Sequence, residues 1–326
     1  MSALHDTLRR LGQSVVIDGD TIVIEGEVIP PGDAAPPTRD SAFFDPDPLR
    51  ARLHRALYSR VYCRSTGSGG HGDAAALVAR LRAANRGRPR WSEGWTVAEV
   101  TPSFAVVASK SSRVQTFAPG LYVNCTTPAV PAEGDEIAVH RAHESLTLQP
   151  GFYYAIGRTV PDMVDLANAF RVYWNVGPED VPELVGAITA GFDSWRIPFR
   201  FKCAAWPGGY DRVDSAVLYV ASRFHRVVLA LVSSIHELLG ERLRDDVPLF
   251  TRPLGRGIAV AEDPRGSESF GANRCRPLAR ALAESPNDAY RRILDEYDRA
   301  HIDLDRPWLI DGRRDDPYGM DGWRLG

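Results

Sequence analysis

The sequence predicts an α+β protein built on a mixed or antiparallel sheet with flanking helices, and three observations carry that prediction. Short apolar-polar runs bounded by Pro and Gly recur through the first half. Stretches with helical spacing lie between and after them rather than alternating strictly with strands. No period of 20–50 residues repeats, so solenoids and propellers drop out. The chain of 326 residues, 44% of them hydrophobic and 25% charged, is long enough to bury a full core without staples.

Taken in order, residues 14–29, SVVIDGDTIVIEGEVI, alternate around an Asp-Gly turn and predict a small N-terminal β-hairpin. The Pro- and Asp-rich PPGDAAPPTRDSAFFDPDP that follows reads as a linker. The division is therefore an N-terminal hairpin and linker over 1–45 and one larger domain over 46–326. Helical spacing covers 49–62 and 74–85. The STGSGGHGD between them lacks the GK[ST] ending of a phosphate loop. WTVAEV, FAVVAS, GLYVNC and EIAVH predict a meander over 95–140. DMVDLANAFRVYWNV reads as a helix entering a strand, 179–193 as a helix, and RIPFRFKCAAW and DSAVLYVA as two facing strands. A helix is expected over 224–243, an extended segment at VPLFTRPLGRGIAVAED, a helix opening in SESFGANRCRPLARALAES, and a polar, aromatic tail from Asp303.

Composition excludes several functions. The net charge is −3 with both signs dispersed, which argues against nucleic acid as a partner. No run approaches the roughly 18 apolar residues of a membrane span, and the N-terminus has no apolar signal core, so a cytoplasmic protein is expected. Cys63, Cys125, Cys203 and Cys275 show no CxxC spacing, and His140 and His143 sit at a strand end with no third ligand in sight, so neither a disulfide framework nor a metal site is expected. No GxSxG elbow, kinase signature or dinucleotide fingerprint occurs, and no cofactor is called for.

Lysine usage singles out one position. Only Lys110 and Lys202 stand against 37 arginines, and Lys202 lies inside the apolar IPFRFKCAAW. Apolar surroundings would desolvate its ammonium and pull its pKa down. Arginine cannot replace a group that must surrender its proton, so Lys202 is the candidate general base. Around it the sequence offers Arg200, Arg212 and Asp214, with Tyr219 on the facing strand. Arg171, Arg252, Arg256 and Arg274 complete a set suited to a phosphate or carboxylate.

Eight segments resemble, in order, the HopA-type family, named for a plant-pathogen type III effector and also found beside peptide-modification genes. They are LYSRVY, ANRGRPRWSEGW, PGFYYAIG, FRVYWNV, IPFRFKCAAW, YDRVDSAVLY, VPLFTRPLGRGIAVAED and ESFGANRCRPLA, spanning roughly residues 50–285. The resemblance implies a phosphothreonine-lyase-like fold and a carbon-oxygen lyase that needs no metal. Such an enzyme removes phosphate from phosphoserine or phosphothreonine in a ribosomal precursor peptide and leaves dehydroalanine or dehydrobutyrine, as in lanthipeptide-type biosynthesis.

The implied partners are the phosphorylated precursor peptide and a separate phosphotransferase. Lys202 then takes the α-proton and Arg212 holds phosphate. Related lyase effectors carry a Lys-Phe-His tripeptide on an earlier strand, where this chain has Gly151, Phe152, Tyr153 and Tyr154. The role of general acid therefore passes to Tyr153 or Tyr154, or phosphate departs with its charge held by arginines. The alternative is a non-catalytic protein that captures a phosphopeptide or partner with the same arginines.

Overall fold

The computed structural model describes residues 3–19, 21–29, 43–65, 70, 72–111, 113–264, 268–284, 288–313, 315–320 and 324–325. It opens with helix α1 (Ala3–Ser14), which the sequence analysis does not assign, followed by strands β1 (Val16–Asp18), β2 (Thr21–Ile24) and β3 (Glu27–Ile29). The expected hairpin is present and extended by a third strand, in the order β1-β2-β3. Its second turn places Glu25 at φ 50° and Gly26 at φ 84°. Positive φ at both central positions matches the right-handed twist of the flanking strands. Leu8, Leu11, Ile22 and Ile24 pack into the main core, so this sheet shares its apolar interior with the rest of the chain. Residues 30–42 of the predicted linker and most of the glycine-rich 65–73 stretch lie outside the described residues.

Helix α2 (Pro48–Ala56) starts at Asp47, whose carboxylate accepts from the Leu49 N–H at 2.9 Å, and Pro48 occupies the first turn, where no N–H is needed. The helix runs directly into one turn of π-helix at Leu57–Tyr62. Helix α3 (Ala74–Ala84) is capped by Asp73 in the same way.

A five-stranded antiparallel sheet follows, made of β4 (Arg90–Val100), β5 (Val106–Lys110), β6 (Arg113–Phe117), β7 (Tyr122–Asn124) and β8 (Glu136–Arg141), in the order β6-β5-β4-β8-β7. The expected meander lacks β6, whose RVQTF carries too little apolar content to read as a strand. Trp95, Val97, Val106, Ala108, Phe117, Ile137 and Val139 form a small core that belongs to this sheet alone.

The second half folds as a seven-stranded, wholly antiparallel sheet. Its elements are β9 (Glu144–Ser145), β10 (Phe152–Ile156), α4 (Met163–Ala167), β11 (Ala169–Trp174), α5 (Val181–Ser194), β12 (Phe199–Ala204), β13 (Ala216–Ala221), α6 (His225–Leu239), β14 (Arg252–Gly255), β15 (Ile258–Glu262), α7 (Phe270–Leu282) and α8 (Ala289–Arg299). The strand order is β14-β15-β11-β13-β12-β10-β9. The facing strands expected at IPFRFKCAAW and DSAVLYVA are β12 and β13, paired with Lys202 opposite Val217 and Arg200 opposite Tyr219. Among the described residues no helix is long and apolar enough to cross a membrane.

Alternation divides this sheet into two unlike faces. Tyr153, Phe170, Val172, Trp174, Phe199, Phe201, Cys203 and Leu218 are buried on one face, against which α5 packs through Phe192 and Phe199, ring centres 5.6 Å apart. The other face carries Phe152, Tyr154, Arg171, Tyr173, Arg200, Lys202 and Tyr219. Helix α7 and the π-helical turn cover its Tyr173 end, with Phe270 6.4 Å from Tyr173 and 6.3 Å from Tyr62. Beyond that cover the face is open.

The cover is seated by a glycine. A Cβ on Gly271 in α7 would fall 2.3 Å from Tyr62 Cε1, well inside van der Waals contact. Gly271→Ala is expected to lower unfolding stability by about 1–3 kcal/mol through overpacking. Urea unfolding of the two proteins measures the difference, and an unchanged midpoint would show that α7 is not held this tightly.

Candidate functional site

The open face brings together part of the residue set that the sequence singles out. Cross-strand register sets Tyr154 opposite Lys202 and Ile156 opposite Arg200, and Arg171 opposite Tyr219. Residues directly opposite on antiparallel strands share a face, so Tyr154 and Lys202 start one row, Arg200, Tyr219 and Arg171 form the next, and the two adjacent rows make a double row across four strands.

Lys202 lies half-buried, with Nζ 4.6 Å from the Phe152 ring centre and 5.9 Å from that of Tyr219. Its ammonium reaches Gln149 Oε1 at 3.3 Å on the exposed side. The expectation of an enclosed, apolar setting is thereby corrected. The apolar neighbours Phe199, Phe201 and Cys203 point to the opposite face, because consecutive side chains on a strand diverge. Tyr154 donates its hydroxyl to the same Gln149 Oε1 at 2.9 Å. Burial pushes its pKa up to about 12, so it keeps its proton at neutral pH. Gln149, which carries no signature in the sequence, thus links the two groups.

Tyr153 belongs elsewhere. It is fully buried on the α5 face, where it donates to Glu144 Oε2 at 2.9 Å and accepts from Asn85 Nδ2 at 2.9 Å. Of the two tyrosines proposed as acids, Tyr154 alone stands beside Lys202.

The arginines also separate. Arg171 is 8% exposed, pairs with Asp263, and lies 5.1 Å from the centre of the Tyr219 ring. Arg200 lies 5.5 Å from the same centre. The two guanidinium carbons are therefore at most about 11 Å apart, so like charges at an effective dielectric near 20 repel by at least about 1.5 kcal/mol before screening. Arg171 Nε is buried without an aligned acceptor, while the Tyr173 hydroxyl lies between Arg171 and Tyr62 and interacts with both. A buried guanidinium N–H without an acceptor is a donor that an oxyanion can meet.

Arg212 forms the wall next to this row. It holds Asp214 in a two-pronged ion pair, with Nη2 to Oδ2 at 2.8 Å, and donates to Tyr58 Oη at 2.8 Å and Cys63 Sγ at 3.0 Å. Burial would raise the Asp214 pKa, but the Arg212 guanidinium outweighs it and holds the carboxyl below its ordinary range, with Lys202 acting in the same direction. Burial and the neighbouring Cys63 and Asp214 raise the Tyr58 hydroxyl well above the usual tyrosine value, against the pull of Arg212. Lys202, Arg171, Arg200 and Arg212 face Asp214 and Asp263, a local excess of two positive charges.

The other three arginines leave the set because long-range packing claims them. Arg274 is fully buried and ties down the tail, donating to the Pro307 carbonyl at 2.7 Å and to Asp311 at 2.8 Å. Arg256 pairs with Asp245 at 3.2 Å and donates to the Leu243 carbonyl at 2.6 Å. Arg252 donates to the Met320 carbonyl and lies 5.5 Å from the Trp308 ring centre. They do not converge with Arg171, Arg200 and Arg212 on one anion.

A cavity of about 350 Å³ opens beside the row, lined by Arg200, Tyr219 and Asp263 from one sheet and by Gln115 and Arg141 from the other. Of the residues on the open face Arg200 and Tyr219 reach this cavity, while Lys202, Tyr154, Arg171 and Arg212 are not part of its lining. Together the hydroxyl, the amine and the guanidinium groups of that face can bind an anion and move a proton.

The family model of the HopA1 effector proteins matches residues 143–309, just over half of the chain and the whole of the seven-stranded sheet. The chain belongs to the HopA1 effector protein family. Among solved structures it is similar to the effector protein from Pseudomonas syringae pv. tomato strain DC3000, at 16% identity and TM-score 0.46 over 80% of this chain and 89% of that one. It is also similar to the effector protein from Pseudomonas syringae pv. syringae strain 61, at 14% identity and TM-score 0.44 over 83% and 90%. No curated protein matches. The HopA1 match contains Tyr154, Arg171, Lys202, Arg212 and Asp214, and leaves out the five-stranded sheet and the π-helical turn.

The Arg212–Asp214 pair is the site's main structural tie. Asp214→Ala leaves a largely buried guanidinium uncompensated and is expected to cost about 3–5 kcal/mol at neutral pH. Because the folded state lowers the carboxyl pKa from its ordinary 3.8, the contribution is complete above that pH. It fades as the pH falls through the lower folded value. Urea unfolding of both proteins should show the gap narrowing as the pH is lowered below about 3.8. A gap independent of pH would exclude the ionised pair as its source.

Proposed function

We propose that this protein is a lyase that eliminates phosphate from phosphoserine or phosphothreonine in a peptide. The observation that carries the reading is the placement of Lys202 and Tyr154 side by side, both bonded to Gln149, next to a cationic row with two charges in excess. A phosphate dianion matches that excess. Arg171, Arg200 and Arg212 would orient it and take up charge as it leaves.

In the reaction Lys202, having first given up its own ammonium proton, takes the proton from Cα; Arg171, Arg200 and Arg212 then face Asp214 and Asp263 with one positive charge in excess, against which the phosphate is held. The electron pair of that C–H bond forms the Cα=Cβ double bond. The Cβ–O bond breaks with its pair passing to phosphate, and Tyr154 supplies a proton to the departing oxygen. The route consumes neither water nor an oxidant. The products are inorganic phosphate and dehydroalanine or dehydrobutyrine.

A ribosomal precursor peptide of the lanthipeptide type, phosphorylated by a separate kinase, is the substrate that the resemblance to HopA-type proteins beside such precursors favours. A thiol of the same peptide can then add to the alkene and close a thioether ring.

The test is incubation of the pure protein with a phosphoserine and a phosphothreonine peptide, followed by mass spectrometry for loss of the elements of phosphoric acid. Lys202→Ala should abolish the loss while phosphopeptide affinity persists. Tyr154→Phe should lower kcat by about 10²–10³-fold, Arg171→Ala should raise KM, and Tyr153→Phe should leave kcat unchanged. Binding without elimination by the parent protein, alone and after co-expression with the kinase, would overturn the lyase reading in favour of a phosphopeptide-binding module.

A further inference from the structure

A second, larger cavity of about 750 Å³ lies where the five-stranded sheet meets α5 and the end of β10. Arg86, Arg88, Arg90, Arg141 and Arg158 line it, with His140, His143 and a single carboxylate, Asp193. Elsewhere on this chain arginines meet carboxylates, as in Arg60–Glu27, Arg80–Glu179 and Arg242–Glu183. Among the described residues none of the five guanidinium groups here does.

They turn instead to neutral acceptors. Arg90 donates to the Arg158 carbonyl, Arg88 to the Gly87 carbonyl at 2.9 Å and Arg141 to Gln115 Oε1 at 2.9 Å. The Asp193 carboxylate is already engaged by the Arg158 backbone N–H at 2.7 Å. The guanidinium groups are close enough to act on one another. Burial lowers the pKa of Arg141, and Arg90 and Arg113 add to the effect. Burial lowers that of Arg90, with Arg158 adding to it. Asp193 offsets part of this charge at Arg90 and Arg158, but one carboxylate against five guanidinium groups leaves a concave site that favours an anionic occupant.

The position of the cavity indicates which anion. Arg141 and Ile156 line both this cavity and the smaller one beside the catalytic row, so the two meet. Along the chain from Tyr154 to Arg158 an extended backbone advances about 13 Å, or about four residues. The lining offers no stack of aromatic rings for nucleobases. We infer that the arginine cavity holds an acidic segment of the peptide substrate, about four residues from the phosphorylated side chain. This inference rests on the lyase reading given above. It assigns a specificity role to Arg90 and Arg141 of the five-stranded sheet and to Arg86 and Arg88 just before it, all outside the matched family region, together with Arg158 inside it.

The test uses the full-length protein and two phosphoserine peptides that differ only at three consecutive positions beginning four residues away, Glu in one and Gln in the other, built on each side in turn. The parent protein should show a KM at least about tenfold lower for the Glu peptide on one side, with similar kcat and a strong dependence on salt. In the double variant Arg88→Glu/Arg158→Glu, both exposed positions, that advantage should vanish while the Gln peptide is processed as before. Equal KM values for Glu and Gln peptides on both sides would overturn the inference, as would an equal loss on both peptides in the variant. Fluorescence anisotropy with the unphosphorylated peptides reads the cavity without any reaction. If elimination is never seen, Glu-selective binding lost in the double variant still supports the cavity assignment, and its absence rejects it. Tighter binding of a poly-uridine RNA than of the Glu peptide would also reject it.

Discussion

The register of β12 between β10 and β13 is the constraint on which the rest of the site depends. Lys202 stands opposite Tyr154 on one side and Val217 on the other, and two-residue alternation does the remaining sorting. Phe199, Phe201 and Cys203 go to the α5 face while Arg200 and Lys202 go to the open one. A slip of one residue would bury two cations and expose two phenyl rings, a combination that neither face can accept. The Lys202–Tyr154 row is therefore held by the same apolar burial that holds the sheet.

The wall beside the row is stabilised differently. Asp214 stays ionised in a nearly dry setting because Arg212 grips it with two hydrogen bonds, and Arg212 is in turn fixed by Tyr58 and Cys63. Tyr58 lies on a π-helical turn, stacked on Tyr62 with ring centres 5.5 Å apart. Such turns occur often at functional sites. The turn here carries both rings to the sheet, and Gly271 leaves room for Tyr62 against α7.

Much of this architecture is legible in the sequence, because periodicity is local. The β12–β13 pair, the helix at 181–194, the N-terminal hairpin and the isolated Lys202 all follow from spacing and residue type. Three things are not local. Choosing between Tyr153 and Tyr154 requires the parity of β10 against β12, which no single segment contains. Separating Arg171 and Arg212 from Arg252, Arg256 and Arg274 requires knowing that the C-terminal tail folds back to claim Arg252 and Arg274. Gln149 is one amide in a turn and gains meaning only from the two groups that share it. Helices α1 and α8 escape the sequence reading because each buries only a narrow apolar stripe, and in α8 that stripe is interleaved with charged residues. Leu8 and Leu11 of one and Ile293 and Tyr297 of the other are buried nonetheless.

The five-stranded sheet closes its own core around Trp95, Phe117 and Ile137, and it supplies neither Lys202 nor Tyr154. Its contribution at the boundary is confined to side chains such as Arg90 and Arg141, while the reacting groups sit on a scaffold stabilised by other contacts. Substitutions in the two regions should therefore combine nearly additively where they do not touch. If Lys202 and Tyr154 act as proposed, such a division would let substrate range drift by exchange of surface charges around the arginine cavity, with the chemistry of the seven-stranded sheet left intact.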